Sequence, residues 1–220
     1  MKIIFRLIFI ISVSIVLSSC SSSTEYEETK TENTETNDNT LTETYSEENG
    51  SRILYQAKIE QQNKMYSPGV DSTYLYWLGN KLILLYNTTK CNIYALNTLQ
   101  KSGFKTPKVN ALCRDLYDTT RFNDVFPYVS ITDLSDIRKG DLVIWRGHVI
   151  LFDYLFPPNK QNRVFAKAWW AGTSKADDGE TVINNVIYGK YELKGEGKSV
   201  RVQRIRFACV STQAVPALPK

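Results

Sequence analysis

The sequence contains a single histidine, His148, and none of its four cysteines forms a Cys-X-X-Cys pair. This shortage of clustered nitrogen and sulfur ligands argues against a zinc site, and we expect neither a metal nor a cofactor. The chain also has no internal repeat, which excludes solenoid and propeller architectures. The chemistry that the sequence offers therefore depends on a few individual side chains.

The N-terminal apolar run, residues 7–17, is too short to cross a membrane comfortably. Basic residues precede it, and it is followed by a Leu-Ser-Ser-Cys sequence that ends at Cys20. This combination resembles the signal of bacterial lipoproteins. We therefore predict that residues 1–19 are a signal peptide and that Cys20 becomes lipidated. An ordinary secretory signal and an uncleaved anchor are the alternatives.

The segment after Cys20 is acidic and poor in aliphatic residues. Nine acidic residues and Lys30 give residues 21–50 a formal charge of −8. Such a segment buries too little apolar surface to offset the entropy of ordering it. We predict that residues 20–50 are the lipidated cysteine and a disordered tether in the cell envelope. In a diderm organism, Ser21 after the cysteine points to the outer membrane, with the domain facing the periplasm.

Residues 51–220 have the length of one domain, and their charge is opposite to that of the tether. They contain 24 basic and 14 acidic residues, a formal charge of +10 that the net charge of the whole chain, +4, conceals. A basic domain outside the cytoplasm suits an anionic polymer such as cell wall, lipid head groups or nucleic acid. A charge that serves solubility alone is the alternative.

The order of elements within this domain predicts an α+β fold. Helical spacing of apolar residues predicts a helix over 53–59, a helix starting at Cys91 that Thr88 or Thr89 caps and Gly103 ends, and a short helix after Pro107. Residues 119–139 read as a surface excursion. Five strands are then predicted, at 141–146, 148–155, 163–170, 181–191 and 199–207. Helices followed by consecutive strands favour helices packed on an antiparallel sheet.

Cys91 and His148 are the candidate catalytic residues. A cysteine in the first turn of a helix is stabilised as thiolate by unpaired N–H groups and by the helix dipole. A nearby imidazole activates the thiol and later donates a proton to the leaving amine. The alternatives are a buried structural cysteine, or one half of a disulfide, and a structural histidine.

Two further cysteines, Cys113 and Cys209, are left after Cys20 and Cys91 are assigned. An oxidising compartment favours a Cys113–Cys209 bridge and one reactive thiol. Two buried free thiols are the alternative, since cysteine is often simply buried.

Three short motifs resemble the papain-like cell-wall hydrolases of bacteria, the NlpC and CHAP groups. They are Lys90-Cys91-Asn92, Gly140-Asp141-Leu142-Val143 and Gly147-His148-Val149, and the similarity covers roughly residues 90–170. The resemblance implies a papain-like fold, Cys91 as nucleophile and His148 as base. It further implies cleavage of peptide or amide bonds, mostly in peptidoglycan. We expect a peptidoglycan or peptide substrate and a membrane contact through the lipid anchor, and no nucleic acid partner.

The chain departs from these families at the third catalytic residue, which usually lies on the strand after the histidine strand. That strand offers Lys167, a cation that cannot accept a hydrogen bond from the imidazole. Asp153 lies an odd number of residues from His148 and faces the other way on a regular strand. Asp177 and Asp178 lie in a turn from which they could reach back. Two further possibilities are a Cys–His dyad without a third residue and a backbone carbonyl that orients the imidazole.

This missing residue motivates a second hypothesis. The domain would then be catalytically weak or inactive and would use its basic surface to hold cell wall or a partner protein. Transpeptidation, deamidation and protein processing are further alternatives. They would use the same Cys–His pair as hydrolysis, so the sequence does not distinguish them from it.

Overall fold

A computed structural model describes residues 46–157, 163–194 and 201–203. The predicted signal peptide, Cys20, most of the predicted tether and Cys209 lie outside these residues, so the expectations for them stay predictions. Within the described ranges, no helix combines the length and the apolar character that a membrane crossing requires.

The described chain is an α+β structure with antiparallel sheets, as the order of elements predicted. The helices are α1 (Glu47–Glu60), α2 (Cys91–Lys101) and α3 (Cys113–Tyr117). The strands are β1 (Ser72–Leu75), β2 (Lys81–Leu84), β3 (Tyr128–Val129), β4 (Leu142–Trp145), β5 (His148–Leu155), β6 (Val164–Lys175), β7 (Val182–Lys194) and β8 (Arg201–Gln203).

The main sheet has six antiparallel strands in the order β3-β8-β4-β5-β6-β7, and β1 and β2 form a separate hairpin. Its centre is the β4–β5 hairpin, in which Trp145 pairs with His148 across a two-residue turn. Helix α2 packs against β5 and β6. The start of α2 and the start of β5 therefore belong to the same layered core.

The sheet buries side chains on both faces. Leu142, Val149, Leu151 and Trp169 join the core that contains α2. Residues of opposite parity, including Val143, Ile150, Phe152, Ala168 and Trp170, form a second cluster. Burial on both faces explains why β4 and β5 read as continuous apolar runs rather than as alternating patterns.

Helix α1 begins at Glu47, inside the segment that was predicted as tether. The side chain of Ser46 accepts a hydrogen bond from the Asn49 N–H at 3.2 Å, and two glutamates occupy the first turn. A serine cap followed by acidic residues in the first turn stabilises the start of a helix even where that turn has no apolar residues. Because the prediction relied on apolar spacing, it placed the start of the helix too late.

Helix α1 approaches the turn before β4 at two glycines. A Cβ atom on Gly50 would lie 2.3 Å from the carbonyl oxygen of Lys139. One on Gly140 would lie 2.9 Å from the Cα atom of Gly50 and 3.2 Å from Cδ1 of Ile53. Gly140 also has a φ of +87°, which disfavours any side chain.

Replacement of Gly140 by alanine is expected to lower the free energy of unfolding by about 2–5 kcal/mol, from left-handed backbone strain together with overpacking. Gly179→Ala is the matched control, because Gly179 has a φ of +75° and no atom within 4 Å of the added Cβ. The control is expected to cost only about 1–2 kcal/mol of backbone strain. Equal losses in urea unfolding would show that the contact with α1 has no energetic role.

Helix α2 is buried along most of its length, from Cys91 to Leu99. It ends as predicted, with Gly103 at a φ of +84° and the Phe104 N–H donating to the Leu99 carbonyl at 3.0 Å. The predicted threonine cap is wrong. Lys90 occupies the cap position without a side-chain cap, and Thr88 instead donates to the Tyr86 carbonyl.

Two further expectations change in detail. The short helix after Pro107 begins later than predicted and comprises α3 alone. The stretch 119–139 is not purely a surface excursion, because Phe126 and Ile137 are buried and β3 adds an edge strand to the sheet. A few apolar residues among many polar ones give no periodic pattern, so the sequence does not reveal their burial.

Strands β6 and β7 form a longer hairpin than predicted. Their pairing runs to Lys175 and Val182, and the Thr173 hydroxyl lies 2.7 Å from Oδ1 of Asn184 across the ladder. Polar side chains at this exposed end conceal the strand from a search for apolar runs. The predicted strand 199–207 is described over β8, and its remainder lies outside the described residues.

Candidate active site

Cys91 is the first residue of α2 and is 2% exposed. Its position places the sulfur beside the unpaired N–H groups of the first helical turn. The preceding residue, Lys90, is fully buried and fixes this end of the helix. Its Nζ donates hydrogen bonds to the carbonyl oxygens of Met65, Ser67 and Val70.

His148 is the first residue of β5 and follows the Arg146-Gly147 turn, as predicted. The structure brings it together with Cys91. The imidazole lowers the pKa of the Cys91 thiol through hydrogen bonding and charge, and the backbone N–H of Val149 acts in the same direction. The beginnings of one helix and one strand thus meet at a single site.

The largest influence on Cys91 comes from a residue that the sequence did not connect with it. The Sγ atoms of Cys91 and Cys113 lie 3.5 Å apart, and both residues are buried. The hydrogen bond with Cys113 is the main reason why the pKa of Cys91 falls well below its usual range, although burial opposes this. The same contact, together with burial and the charge of Cys91, raises the pKa of Cys113. These opposite shifts make Cys91 the more acidic thiol of the pair and Cys113 the hydrogen-bond donor to it.

Cys113 is a buried free thiol among the described residues, and Cys209, the other half of the predicted bridge, lies outside them. The position of Cys113 at the start of α3 places it against Cys91. No pattern in the sequence signals this contact, because it depends on how the segment between α2 and α3 returns to the start of α2.

Replacement of Cys113 by alanine is expected to move the pH midpoint of Cys91 alkylation upward by about one to two pH units, the value of a hydrogen bond to a charged group. The sign follows because Cys113 stabilises the deprotonated form of Cys91. The measurement is the rate of iodoacetamide modification of Cys91 against pH. Cys113→Ser keeps a donor and is expected to retain most of the effect. A midpoint unchanged in the alanine variant would contradict the proposed hydrogen bond.

Aromatic rings surround the imidazole of His148. The Tyr191 ring stacks on it with a centroid distance of 5.4 Å and an interplanar angle of 16°. Trp145 lies 6.4 Å from His148 and 5.3 Å from Tyr191, which closes a three-ring cluster. Burial and the nearby Cys91 charge raise the pKa of Tyr191 to about 12, so its hydroxyl stays protonated at neutral pH.

The third catalytic residue is not found among the described residues. Nε2 of His148 is buried and has no hydrogen-bond partner within them. Asp153 instead accepts a hydrogen bond from the Tyr188 hydroxyl, and Lys167 lies 4.5 Å from the centre of the Tyr188 ring. The imidazole is therefore held by stacked rings rather than by the polar residue that the resemblance implies.

Of the two turn aspartates, Asp178 does not supply this residue. Asp178 accepts hydrogen bonds from the backbone of Glu180 and Thr181 and from the Thr181 hydroxyl, so it closes its own turn. Asp141 accepts from the Arg138 N–H at 2.8 Å, which fixes the turn before β4. Both carboxylates have local structural roles.

No protein-family model, curated protein or solved structure matches this chain. The resemblance to the NlpC and CHAP groups therefore rests on the motifs quoted above. Within the described residues, no group of three or more His, Cys, Asp or Glu side chains is arranged to hold a metal ion. A functional assignment must therefore start from the chemistry of Cys91, Cys113 and His148.

Proposed function

We propose that this chain is a membrane-tethered cysteine hydrolase of papain-like fold that cleaves peptide or amide bonds in peptidoglycan. The observation that supports it most directly is that Cys91, the first residue of α2, and His148, the first residue of β5, meet at one site, where Cys113 and His148 both lower the pKa of the Cys91 thiol. A thiolate at neutral pH is the reactive form of cysteine, and a neighbouring imidazole is the proton carrier that amide cleavage needs.

In the first step, the Cys91 sulfur attacks the carbonyl carbon of the scissile bond and a C–S bond forms. The carbonyl oxygen becomes an oxyanion, to which the backbone N–H of Cys91 at the start of α2 can donate. His148 then gives its proton to the leaving nitrogen as the C–N bond breaks. The products are an amine and a thioester on Cys91.

In the second step, His148 removes a proton from water, and the resulting hydroxide attacks the thioester carbon. The C–S bond breaks, the carboxylic acid product leaves, and Cys91 returns to the thiolate. Cys113 stays protonated throughout and serves as a hydrogen-bond donor to the sulfur. The Tyr191 and Trp145 rings hold the imidazole while it accepts and donates protons.

The arrangement of elements also supports a papain-like fold. A helix that begins with the nucleophile lies on an antiparallel sheet, and the strand that begins with the histidine lies beneath it. This is the arrangement that the resemblance to the NlpC and CHAP groups implies. The resemblance extends to the Gly-Asp-Leu-Val sequence at Gly140, which leads into β4.

The choice of peptidoglycan as substrate depends on the predicted lipoprotein signal and tether. Lipidation of Cys20 would anchor the chain in the cell envelope, and the tether would hold the basic domain within reach of the wall. The formal charge of +10 on residues 51–220 favours an anionic polymer there.

A digest of purified peptidoglycan with the protein from Ser21 onward tests this function. The starting point retains Ser46 and α1, which the domain needs. Mass spectrometry of the soluble products should show new peptide fragments whose masses identify the bond that is cut. Absence of fragments from several chemical types of wall would refute peptidoglycan hydrolysis.

A binding module is the second candidate, and two observations favour it. Cys91 is 2% exposed, and Nε2 of His148 lacks a hydrogen-bond partner among the described residues. Such a module would bind sacculi through its basic surface. Its binding would weaken as the salt concentration rises and would not change in the Cys91→Ala variant. Binding that depended on Cys91 rather than on salt would exclude it.

A further inference from the structure

A groove of about 530 Å³ lies beside α3 and the turn between β4 and β5. Four arginines, two aspartates and Tyr117 line it, so the lining carries a formal charge of +2. The charged residues are Arg114, Arg121, Arg146, Arg201, Asp115 and Asp118.

Two of the arginines that line the groove lie next in sequence to residues of the candidate active site. Arg146 lies in the turn directly before Gly147 and His148. Arg114 follows Cys113, whose sulfur is 3.5 Å from that of Cys91. The segments that position the nucleophile, its thiol neighbour and the imidazole therefore also supply residues that line this groove.

Several charges of the groove are already satisfied within it. Arg121 forms an ion pair with Asp115, whose other oxygen accepts from the Leu112 N–H at 2.9 Å. Asp118 accepts from the backbone and the hydroxyl of Thr120. The Arg201 guanidinium lies 4.4 Å from the centre of the Tyr117 ring. These contacts fix the shape of the groove but leave its excess positive charge uncompensated.

The excess charge resides on Arg114 and Arg146. Both side chains are exposed, and within the described residues neither has a hydrogen bond or an ion pair. A guanidinium binds a carboxylate through two parallel hydrogen bonds, which fixes both position and orientation. Two such groups, on the segments that carry Cys113 and His148, provide a site for an anion on a bound peptide.

We propose that this groove is a substrate subsite, in which Arg114 and Arg146 bind a carboxylate next to the scissile bond. The inference rests on the proposed hydrolase function and narrows its substrate class to acidic peptides. The carboxylate would hold the peptide so that its carbonyl carbon faces Cys91. Selectivity would come from the charge-assisted hydrogen bonds to the two guanidiniums, which a substrate without that carboxylate cannot form.

Alkylation of Cys91 in the full chain in detergent tests the subsite without a substrate. Iodoacetate and iodoacetamide have nearly the same size and react with the same thiolate, but only iodoacetate carries a carboxylate. Mass spectrometry of the Cys91 peptide gives both rates. The Arg114→Gln/Arg146→Gln variant is expected to react with iodoacetate about fivefold more slowly, an effect of the size that two nearby charges produce. Its rate with iodoacetamide is expected to change less than about twofold, since that reagent is neutral.

The Lys58→Gln/Arg163→Gln variant is the matched control, because it also removes two exposed positive charges. Lys58 lies on α1, and Arg163 lies just before β6 and is paired with Glu192. This variant is expected to keep the wild-type ratio of the two rates. An equal fall in both double variants would trace the preference to net charge and overturn the subsite. If neither reagent modifies Cys91 in the wild type, the assignment of Cys91 as the nucleophile is refuted instead.

Titration with an N-acetylated glutamyl peptide decides the subsite even if Cys91 does not react. The Nε–H signals of Arg114 and Arg146 in NMR spectra are expected to shift, while that of Arg163 stays in place. No shift at any concentration that leaves the protein folded would overturn the proposal. Shifts caused by inorganic phosphate but not by the peptide would also overturn it.

Discussion

Fragment release from peptidoglycan is expected to fall by at least about 10⁴-fold when Cys91 is replaced by alanine, as for other nucleophiles that act as a unit with a base. Alanine removes the sulfur that forms the thioester, and water at this site has no comparable nucleophilicity. His148→Ala is expected to cost about 10²–10⁴-fold, because it removes the proton carrier. Initial rates of fragment release, read by mass spectrometry, measure both variants.

Cys113→Ala is the control for these losses, since it changes a neighbouring thiol without removing the nucleophile or the base. We expect this variant to retain measurable release, with a pH profile displaced upward because the pKa of Cys91 rises. Circular dichroism should show that all three variants are folded. Full activity of the Cys91→Ala variant would show that the protein is not a thiol hydrolase.

Replacement of Lys90 by methionine is expected to lower the free energy of unfolding by about 3–5 kcal/mol, because three carbonyl acceptors lose their donor at about 1–3 kcal/mol each. Methionine fills a similar volume but has no donor, so the carbonyl oxygens of Met65, Ser67 and Val70 lose the ammonium that binds them. Buried acceptors without donors cost free energy because water no longer solvates them. Urea unfolding measures the loss.

Lys58→Met provides the comparison, because Lys58 is exposed on α1 and the same atoms are exchanged. It is expected to change the free energy of unfolding by no more than about 0.5 kcal/mol. Burial lowers the pKa of Lys90 and the charge of Asp71 opposes this, so the ammonium carries a desolvation cost in the folded protein. Equal stability of the two variants would show that the partners contribute nothing measurable.

Local signals in the sequence revealed the elements that carry the candidate nucleophile and base. Gly103 marks the end of α2, and the Arg146-Gly147 step marks the turn before β5. Both signals depend only on a few neighbouring residues, so they do not require knowledge of how distant segments pack. The end of α2 and the start of β5 at His148 followed from them, whereas the helix that begins at Cys91 followed from its apolar spacing.

Contacts between distant segments did not follow from the sequence. The polar stretch around Lys90 gives no sign that this side chain is fully buried. Cys113 was predicted to be either half of a disulfide or a buried free thiol, and neither prediction placed its sulfur against that of Cys91. Tyr191 stacks on His148 although 42 residues separate them in the chain. Such contacts depend on tertiary packing, which local propensity and periodicity do not encode.

The two-residue turn before β5 limits how this protein can vary in length. Side chains on a strand alternate between the two faces of the sheet, so the position of His148 depends on the register of Trp145 opposite it. One inserted residue would either break that pairing or turn the imidazole away from Cys91. Substitutions at Arg146 leave the register intact, whereas insertions and deletions do not. Natural or engineered variants that keep the Cys–His pair should therefore differ here in composition and not in length.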